Sequence, residues 1–265
     1  GLEVLQSEFA VNGGAALRLF RDSGTLVVAK SISGSGLVEQ SGKGVVSLDG
    51  DSADFNGTLK LIAGTTVLNN ESLLSERGSL VFAGGALKYG NGISTDVSSR
   101  IAQLGSGNAV VDTNGQQVHF GSALTGTGGL IKQGGGTLVL TGTNQYTGET
   151  KVLGGVLKYD GAAAIGNAGN ISASANTTVA LNLNSGTQVF NGALSAESQG
   201  RLLKQGTGEV VINAAQQNTG GVSIEAGILR LGTNGYLQGS ISLASDTKLV
   251  LGSGRLSNTS EITLG

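Results

Sequence analysis

The 265-residue sequence has no proline, cysteine, methionine or tryptophan, and its single histidine is His119. The lack of cysteine excludes disulfides and thiolate metal sites. The lack of proline is typical of strands that are hydrogen-bonded along both edges, because proline would remove one of those bonds. No hydrophobic run approaches the ~20 residues of a membrane-spanning helix. These absences leave an all-β protein as the first expectation.

Charge is nearly balanced, with 16 basic and 18 acidic residues and a net charge of −2. Because nucleic-acid binding needs clustered lysine and arginine, we expect no nucleic-acid partner.

The sequence is 38% hydrophobic and contains 47 glycines. A disordered chain would have more charge and fewer apolar residues, so the sequence should fold with its glycines at defined places.

Short segments in which apolar and other residues alternate recur along the whole chain. Glycine, asparagine, aspartate and serine separate them, which indicates half-buried strands joined by tight turns. These segments are Leu26–Val28, Val46–Leu48, Leu59–Leu61, Leu80–Phe82, Val118–Phe120, Leu138–Leu140, Val179–Leu183, Val210–Ile212, Leu229–Leu231 and Leu249–Leu251. Helix signals are confined to one short stretch, Asp160–Ile165.

Internal repeats indicate how the strands are arranged. Copies lie near 36–68, 128–159 and 200–231, and they start at Gly36, Gly128 and Gly200. Their unequal spacing fits several coils of roughly 18–24 residues with variable loops. A single coil cannot bury a core, so stacked coils should share inward aliphatic columns. We therefore predict one parallel β-helix over residues 1–265, with about 12 coils spaced ~4.8 Å apart.

The segment from Lys132 to Leu157 closely resembles the passenger-associated repeat of bacterial autotransporters. The copy at Gly200 has Asn218 where the pattern has tyrosine, and the copy at Gly36 lacks the lysine. The residues that match the pattern, all expected to have structural roles, are Lys132, Gly134, Gly136, Thr137, Leu138, Leu140, Gly142, Asn144, Tyr146, Gly148, Thr150, Val152, Gly155 and Leu157.

This resemblance implies a right-handed parallel β-helix that is one segment of a larger passenger. Such a passenger is exported through an outer-membrane β-barrel of the same polypeptide, which is not in this chain, and is then secreted or displayed on the bacterial surface. Passengers act as adhesins, self-aggregation factors, toxins or stalks that hold proteases.

Three candidate reactive sites are weak on sequence grounds. His119 alternates with Val118 and Phe120, so it should point into water and not serve a catalytic triad. The segment 36–44 has one residue too many for a phosphate-binding loop and lacks its hydroxyl residue. The three aspartates in the segment 49–54 lack a calcium-loop pattern and are expected to form a solvated turn.

Two further possibilities concern the surface. A polysaccharide lyase or glycosidase would need carboxylates paired across coils, whereas the acidic residues scatter among turns. Tyr89, Tyr146, Tyr159 and Tyr236 could form a binding surface, although Tyr146 is expected to pack against the coil edge.

The leading hypothesis is an adhesive or self-associating passenger that binds a host-surface or extracellular-matrix ligand, or a second copy of itself. We expect no catalytic residue, cofactor or metal. Columns of threonine, asparagine, serine and glutamine would provide the hydrogen bonds. The alternatives are a passive stalk for an upstream protease or hydrolase domain and a segment of a toxin passenger.

Overall fold

The computed structural model of the chain describes residues 1–73, 77–166 and 169–265. These residues form short strands, a 3-10 helix at Ser98–Arg100 and a single-turn α-helix, α1, at Ala162–Gly166. None of the helices in these ranges has the length and apolar character needed to cross a membrane.

The strands in chain order are β1 Leu2–Leu5, β2 Phe9–Ala10, β3 Ala16–Leu19, β4 Thr25–Val28, β5 Ile32–Ser33, β6 Leu37–Gln40, β7 Val45–Leu48, β8 Thr58–Leu61, β9 Thr65–Leu68, β10 Ser79–Phe82, β11 Ala86–Tyr89, β12 Ala109–Asp112, β13 Gln117–Phe120, β14 Thr125–Gly126, β15 Leu130–Gln133, β16 Thr137–Leu140, β17 Gln145–Tyr146, β18 Thr150–Val152, β19 Val156–Asp160, β20 Ile171–Ala173, β21 Thr178–Asn182, β22 Thr187–Phe190, β23 Arg201–Gln205, β24 Glu209–Ile212, β25 Ala215–Gln216, β26 Val222–Ile224, β27 Ile228–Leu231, β28 Tyr236–Leu237, β29 Ile241–Leu243, β30 Lys248–Val250, β31 Arg255–Leu256 and β32 Ile262–Leu264.

Each strand pairs in parallel with its counterpart in the next coil. Paired residues are between 19 positions apart, as for Thr137 and Val156, and 24 positions apart, as for Ala86 and Val110. The chain therefore winds into a parallel β-helix of about 12 turns. This arrangement confirms the fold class predicted from the repeats.

The coils have three faces. Face 1 carries the nine-stranded sheet β1-β4-β7-β9-β11-β12-β15-β18-β20 and continues through the bridge between Ile171 and Leu194 into the sheet β25-β28-β31. Face 2 begins with β2 and β5 and continues in the eight-stranded sheet β13-β16-β19-β21-β23-β26-β29-β32. Face 3 begins with β3-β6-β8-β10, passes through β14 and β17, and ends in β22-β24-β27-β30.

A typical coil has two longer strands and one short strand, and the face that carries the short strand changes twice along the axis. In the N-terminal section, residues 1–89, the short strands lie on face 2. In the middle section, residues 109–160, they lie on face 3, and in the C-terminal section, residues 178–264, on face 1. The 3-10 helix lies between the first two sections and α1 between the last two.

The core consists of inward side chains stacked in register. On face 2, Phe120, Leu140, Tyr159 and Leu181 occupy one column in successive coils, and each is fully buried. Because each coil supplies only a few such residues, burial depends on the neighbouring coils above and below. Stacking is thus the main source of stability.

Thr66 interrupts the inward column of face 1 between Val46 and Leu87. Its side chain is 1% exposed, and its Oγ1 has no hydrogen-bond partner among the described residues. A buried hydroxyl without a partner is destabilising, so Thr66→Val should raise the free energy of unfolding by about 1 kcal/mol. Thr113→Val is the matched control, since the buried Thr113 Oγ1 donates to Gly135 O at 2.6 Å and its loss should be destabilising. Urea titrations of both variants check this; a less stable Thr66 variant would contradict the assignment.

Candidate functional site

The most distinctive side chain of the repeat is Lys132, which is completely buried at the end of β15. Its Nζ donates to three backbone carbonyls, Gln133 O at 3.0 Å, Gly134 O at 2.8 Å and Gly154 O at 3.0 Å. Gln133 ends the strand, Gly134 begins the corner that follows it, and Gly154 belongs to the coil above. One ammonium group therefore joins two coils at a tight corner.

Lys204 makes the same arrangement in the copy that starts at Gly200. It is fully buried, and its Nζ donates to Gln205 O at 2.7 Å, Gly206 O at 2.6 Å and Ala226 O at 3.0 Å. Lys204 belongs to β23 on face 2, whereas Lys132 belongs to β15 on face 1. The same device thus operates at two different corners of the β-helix.

The N-terminal copy has Gln40 at the corresponding position, on β6 of face 3. Gln40 is also fully buried, and its Nε2 donates to Gly42 O at 2.6 Å and lies 3.5 Å from Gly44 O. The first copy therefore lacks the lysine and keeps a neutral donor in its place. The alignment of the copies showed that the first one lacks the lysine, but it did not show that Gln40 takes over its hydrogen bonds.

Each copy lies in a different section of the β-helix and runs from a different face. The copies begin on face 3 with β6, on face 1 with β15 and on face 2 with β23. From β6 to β15 the chain makes four turns and advances one further face; from β15 to β23 it makes three turns and again advances one face. The unequal spacings in the sequence follow from this rotation, together with coils of variable length.

A second buried polar side chain recurs in the segment that follows the two longer strands of each copy. Asn144 Oδ1 accepts a hydrogen bond from Leu124 N, and Gln216 Oε1 accepts one from Leu194 N, both at 2.9 Å. Ser52 Oγ accepts one from the N–H of Ile32, also at 2.9 Å. All three side chains are buried, and each satisfies an N–H group of the coil below. Of these three residues, only Asn144 was predicted from the sequence to have a structural role. A polar residue in the same segment of every copy could have indicated the other two.

The motif glycines lie at corners of the coil where the backbone conformation or the adjacent coil leaves no room for a side chain. Gly134, Gly136 and Gly155 have φ angles of +71°, +77° and +64°, which favour glycine. At Gly148 the constraint is crowding, because a Cβ atom would lie 2.4 Å from the carbonyl carbon of Gly128 in the adjacent coil. The backbones of the two coils therefore meet at this corner.

The apolar motif residues form the inward columns, and all are fully buried. They are Leu138, Leu140, Val152 and Leu157. Tyr146 is half-buried and packs against the core, with its hydroxyl 2.6 Å from Thr150 Oγ1. Burial raises the pKa of Tyr146. The geometry agrees with the expectation that this tyrosine packs at the coil edge.

The two buried lysines have unusual proton affinities. Burial lowers the pKa of Lys132 to about 8, partly opposed by the Asp112 carboxylate, and burial lowers the pKa of Lys204 to about 8. The stem of Lys132 lies in the inward column between Val111 and Val152, which explains the loss of hydration. Ordinary lysines titrate near pH 10.5, so these two release protons at lower pH when the chain is folded.

This difference predicts a pH dependence of stability. Between the folded pKa of about 8 and the unfolded value near 10.5, the unfolded chain binds more protons, so the free energy of unfolding should rise with pH. Below about pH 8 both states are protonated, and this contribution should be constant. Urea titrations from pH 7 to 9.5, below the ordinary tyrosine range, measure the slope. The variant Lys132→Gln/Lys204→Gln should lose it; an unchanged slope would assign it to other groups.

Comparison with known proteins adds to this geometry. The family model described as the passenger-associated-transport-repeat matches residues 130–158 and 202–231, which include both lysine corners. The chain is also 36% identical over 162 residues to the "Adhesin BmaC autotransporter" of Brucella suis biovar 1 (strain 1330). The chain is therefore similar to autotransporter passengers and carries two copies of their transport-associated repeat. No solved structure matches it.

The match to the Brucella protein covers 54% of this chain and 5% of that protein. The chain thus corresponds to a small part of its relative.

The outer surface of the β-helix has short polar ladders that span two coils. Asn114 Nδ2 donates to Asn91 Oδ1 at 3.2 Å, and the Ser223 and Ser242 hydroxyls lie 2.9 Å apart. Longer columns are mixed in character: the outward column of face 2 passes from His119 through Val139 to Lys158. On this part of face 2, the expected column of polar residues is therefore interrupted.

The other sequence candidates do not assemble into a reactive centre. His119 is exposed as predicted, and its ring Nε2 lies 3.0 Å from Gln117 Nε2. Asp49 Oδ1 accepts from Ser47 Oγ at 2.6 Å and from Asn69 Nδ2 at 2.9 Å. Across residues 1–73, 77–166 and 169–265, no group of three or more histidine, cysteine or acidic side chains is placed to hold a metal ion.

Two tyrosines considered as surface residues lie in the core. Tyr89 and Tyr159 are fully buried, so the suggestion that they form a binding surface is wrong for both. Tyr89 donates its hydroxyl to Thr95 O at 3.1 Å, and burial strongly raises its pKa. Each occupies an inward place at the end of a longer strand, where alternation alone could have assigned it to the interior.

Proposed function

We propose that this chain is an autotransporter passenger that acts as an adhesive or self-associating scaffold on the bacterial surface. The main support is its 36% identity over 162 residues to a protein named as an adhesin. The proposed partner is a host-surface or extracellular-matrix ligand, or a second copy of the passenger.

The chemistry of the outer surface suits such contacts. A net charge of −2 on a long rod gives little long-range repulsion toward a partner. The surface offers amide and hydroxyl pairs whose hydrogen-bonding capacity is only partly used within the chain. Because the rod is held together by its core, such outer side chains can contact a partner without loss of the coil structure.

We infer that the passenger acts by binding and not by catalysis. The single histidine lies on an outer strand beside Gln117, away from the buried polar residues of the repeat. The ammonium groups of Lys132 and Lys204 each donate hydrogen bonds to three backbone carbonyls, which is a structural role.

We also infer that the passenger is exported through an outer-membrane β-barrel of its own polypeptide and stays anchored by it. Protease treatment of intact cells tests this location. Cleavage of the passenger without cell lysis is expected, and full protection would contradict it.

Display of residues 1–265 on a non-adherent laboratory bacterium tests the proposed function. Attachment to epithelial cells and to extracellular-matrix coats would be counted, and sedimentation of standing cultures would report self-association. A strain that displays an equal amount of an unrelated β-rich protein is the control. We expect at least one of the two readouts to exceed this control clearly.

Equal values in both readouts, with a folded passenger detected on the cell surface, would contradict an adhesive role. That result would favour the passive stalk. Dye release from lipid vesicles would distinguish a toxin segment from either reading.

A further inference from the structure

A groove lies on the surface where the middle section gives way to the C-terminal section. It has a volume of about 630 Å³, within the range of small-ligand sites. It runs along the axis over four successive coils, as the backbone ladder shows: Thr150 N donates to Asn170 O, Ile171 N to Ala193 O, and Gln217 N to Leu194 O. Four coils at ~4.8 Å spacing give a length of roughly 14 Å.

The groove exists because the nine-stranded sheet of face 1 ends here. Beyond β20, face 1 continues only through the bridge between Ile171 and Leu194 and the two-residue strand β25. Gly148 and Gly169 line the same corner and present no side chains. The recess is thus a product of the change of face.

The floor and the rim differ in character. The half-buried side chain of Ala193 makes the accessible floor apolar, and Ile171 and Leu194 lie beneath it in the core. Asn170 and Gln217 present exposed amides at the rim, and Tyr146 supplies an aromatic ring at one end. An apolar floor with hydrogen-bonding groups around it matches a ligand that has both a C–H face and many hydroxyls.

The charge in the groove disfavours anionic ligands. Its one acidic side chain, Glu149, is paired with Lys151 at 3.3 Å, and the lining contains no cation. A phosphate, sulfate or sialic acid would meet the Glu149 carboxylate here, and the nearby Lys151 ammonium is already paired with that carboxylate.

The direction of the groove disfavours an extended peptide. A peptide strand binds by adding to the edge of a sheet. The strands here run across the groove and are already paired with the coils above and below, so they offer no such edge.

We propose that this groove binds a short neutral oligosaccharide aligned with the axis of the β-helix. The amides of Asn170 and Gln217 hydrogen-bond its hydroxyls, and its C–H face lies on Ala193 and on the ring of Tyr146. This inference rests on the proposed adhesive function and names the ligand class of that function.

The test uses the purified 265-residue chain on a glycan array that carries neutral oligosaccharides beside their sialylated and sulfated counterparts. The strongest neutral glycan is then titrated by calorimetry against Asn170→Ala, Gln217→Ala and the double variant. Gln103→Ala, an exposed amide outside the groove, is the matched control.

We expect neutral glycans to be preferred, each single variant to bind about tenfold more weakly, and the double variant to show no binding. The control should bind as the native chain does, and thermal denaturation should show that all variants fold. Absence of glycan binding, a preference for anionic glycans or peptides, or affinity unchanged in the double variant would overturn the assignment.

The adhesion assay separates this inference from the proposed function. If displayed native chain adheres but binds no glycan, only the groove assignment fails. If the native chain neither adheres nor self-associates, the proposed function fails.

Discussion

Replacement of Lys132 by methionine should lower the free energy of unfolding by about 3–5 kcal/mol, because three backbone carbonyls at the corner would lose their donor. The ammonium group donates to Gln133, Gly134 and Gly154, and the last contact joins two coils. Methionine has a similar volume and keeps the stem packed, so the loss isolates the hydrogen bonds.

Lys132→Gln should cost less, about 1–2 kcal/mol, since an amide can still serve part of the corner. The N-terminal copy supplies the precedent, where Gln40 Nε2 donates to Gly42 O at 2.6 Å. Urea denaturation gives both values, and the same pair at Lys204 provides an independent repeat. If methionine were tolerated as well as glutamine, the carbonyl contacts would contribute little, and the lysine corner would lose its assigned role.

Substitution of Gly148 by alanine should destabilise the β-helix by about 3 kcal/mol or more. A Cβ atom there would lie 2.4 Å from both the carbonyl carbon of Gly128 and the amide nitrogen of Gly129. Both contacts are backbone atoms of the adjacent coil, so the conflict can be relieved only if the coils move apart.

Gly135→Ala is the matched control for the same repeat. The nearest atom to a Cβ at Gly135 is 3.8 Å away, and its φ is not in the left-handed region. Alanine there should change stability by less than about 1 kcal/mol and can be slightly stabilising, because it restricts the unfolded chain. Equal effects at the two glycines in urea titrations would contradict the crowding argument.

Much of the architecture was predictable from the sequence because the relevant forces are local and repeated. Alternation placed Leu138 and Leu140 in the core, and both are fully buried. The repeats, the glycines and the lack of proline together indicated strands paired on both edges. The observed coil lengths of 19 to 24 residues fall within the expected range.

The rotation of the copies about the axis was not predictable. Which face receives the short strand depends on how many residues each loop inserts, and the 3-10 helix and α1 make the two changes. Neither element carries a strong signal of its own. An alignment of two repeat copies shows which residues they share. It does not show on which face of the β-helix each copy begins.

The roles of the buried polar residues could also not be predicted from the sequence alone. Gln216 and Ser52 differ in size from Asn144, yet all three accept an N–H from the coil below. Only the fold brings these donors within reach, because each donor lies 20 or 22 positions earlier in the chain. The same holds for the groove, which depends on residues from four coils.

Crosslinking with introduced cysteines tests the rotation of the repeat copies most directly, since the chain has no cysteine of its own. Thr178 and Arg201 are paired in register on face 2, so Thr178→Cys/Arg201→Cys should form a disulfide under mild oxidation. If instead the copies shared one face, β23 would follow β20 on face 1. In that case Asn170→Cys/Arg201→Cys would crosslink and the Thr178 pair would not, which would contradict the rotation.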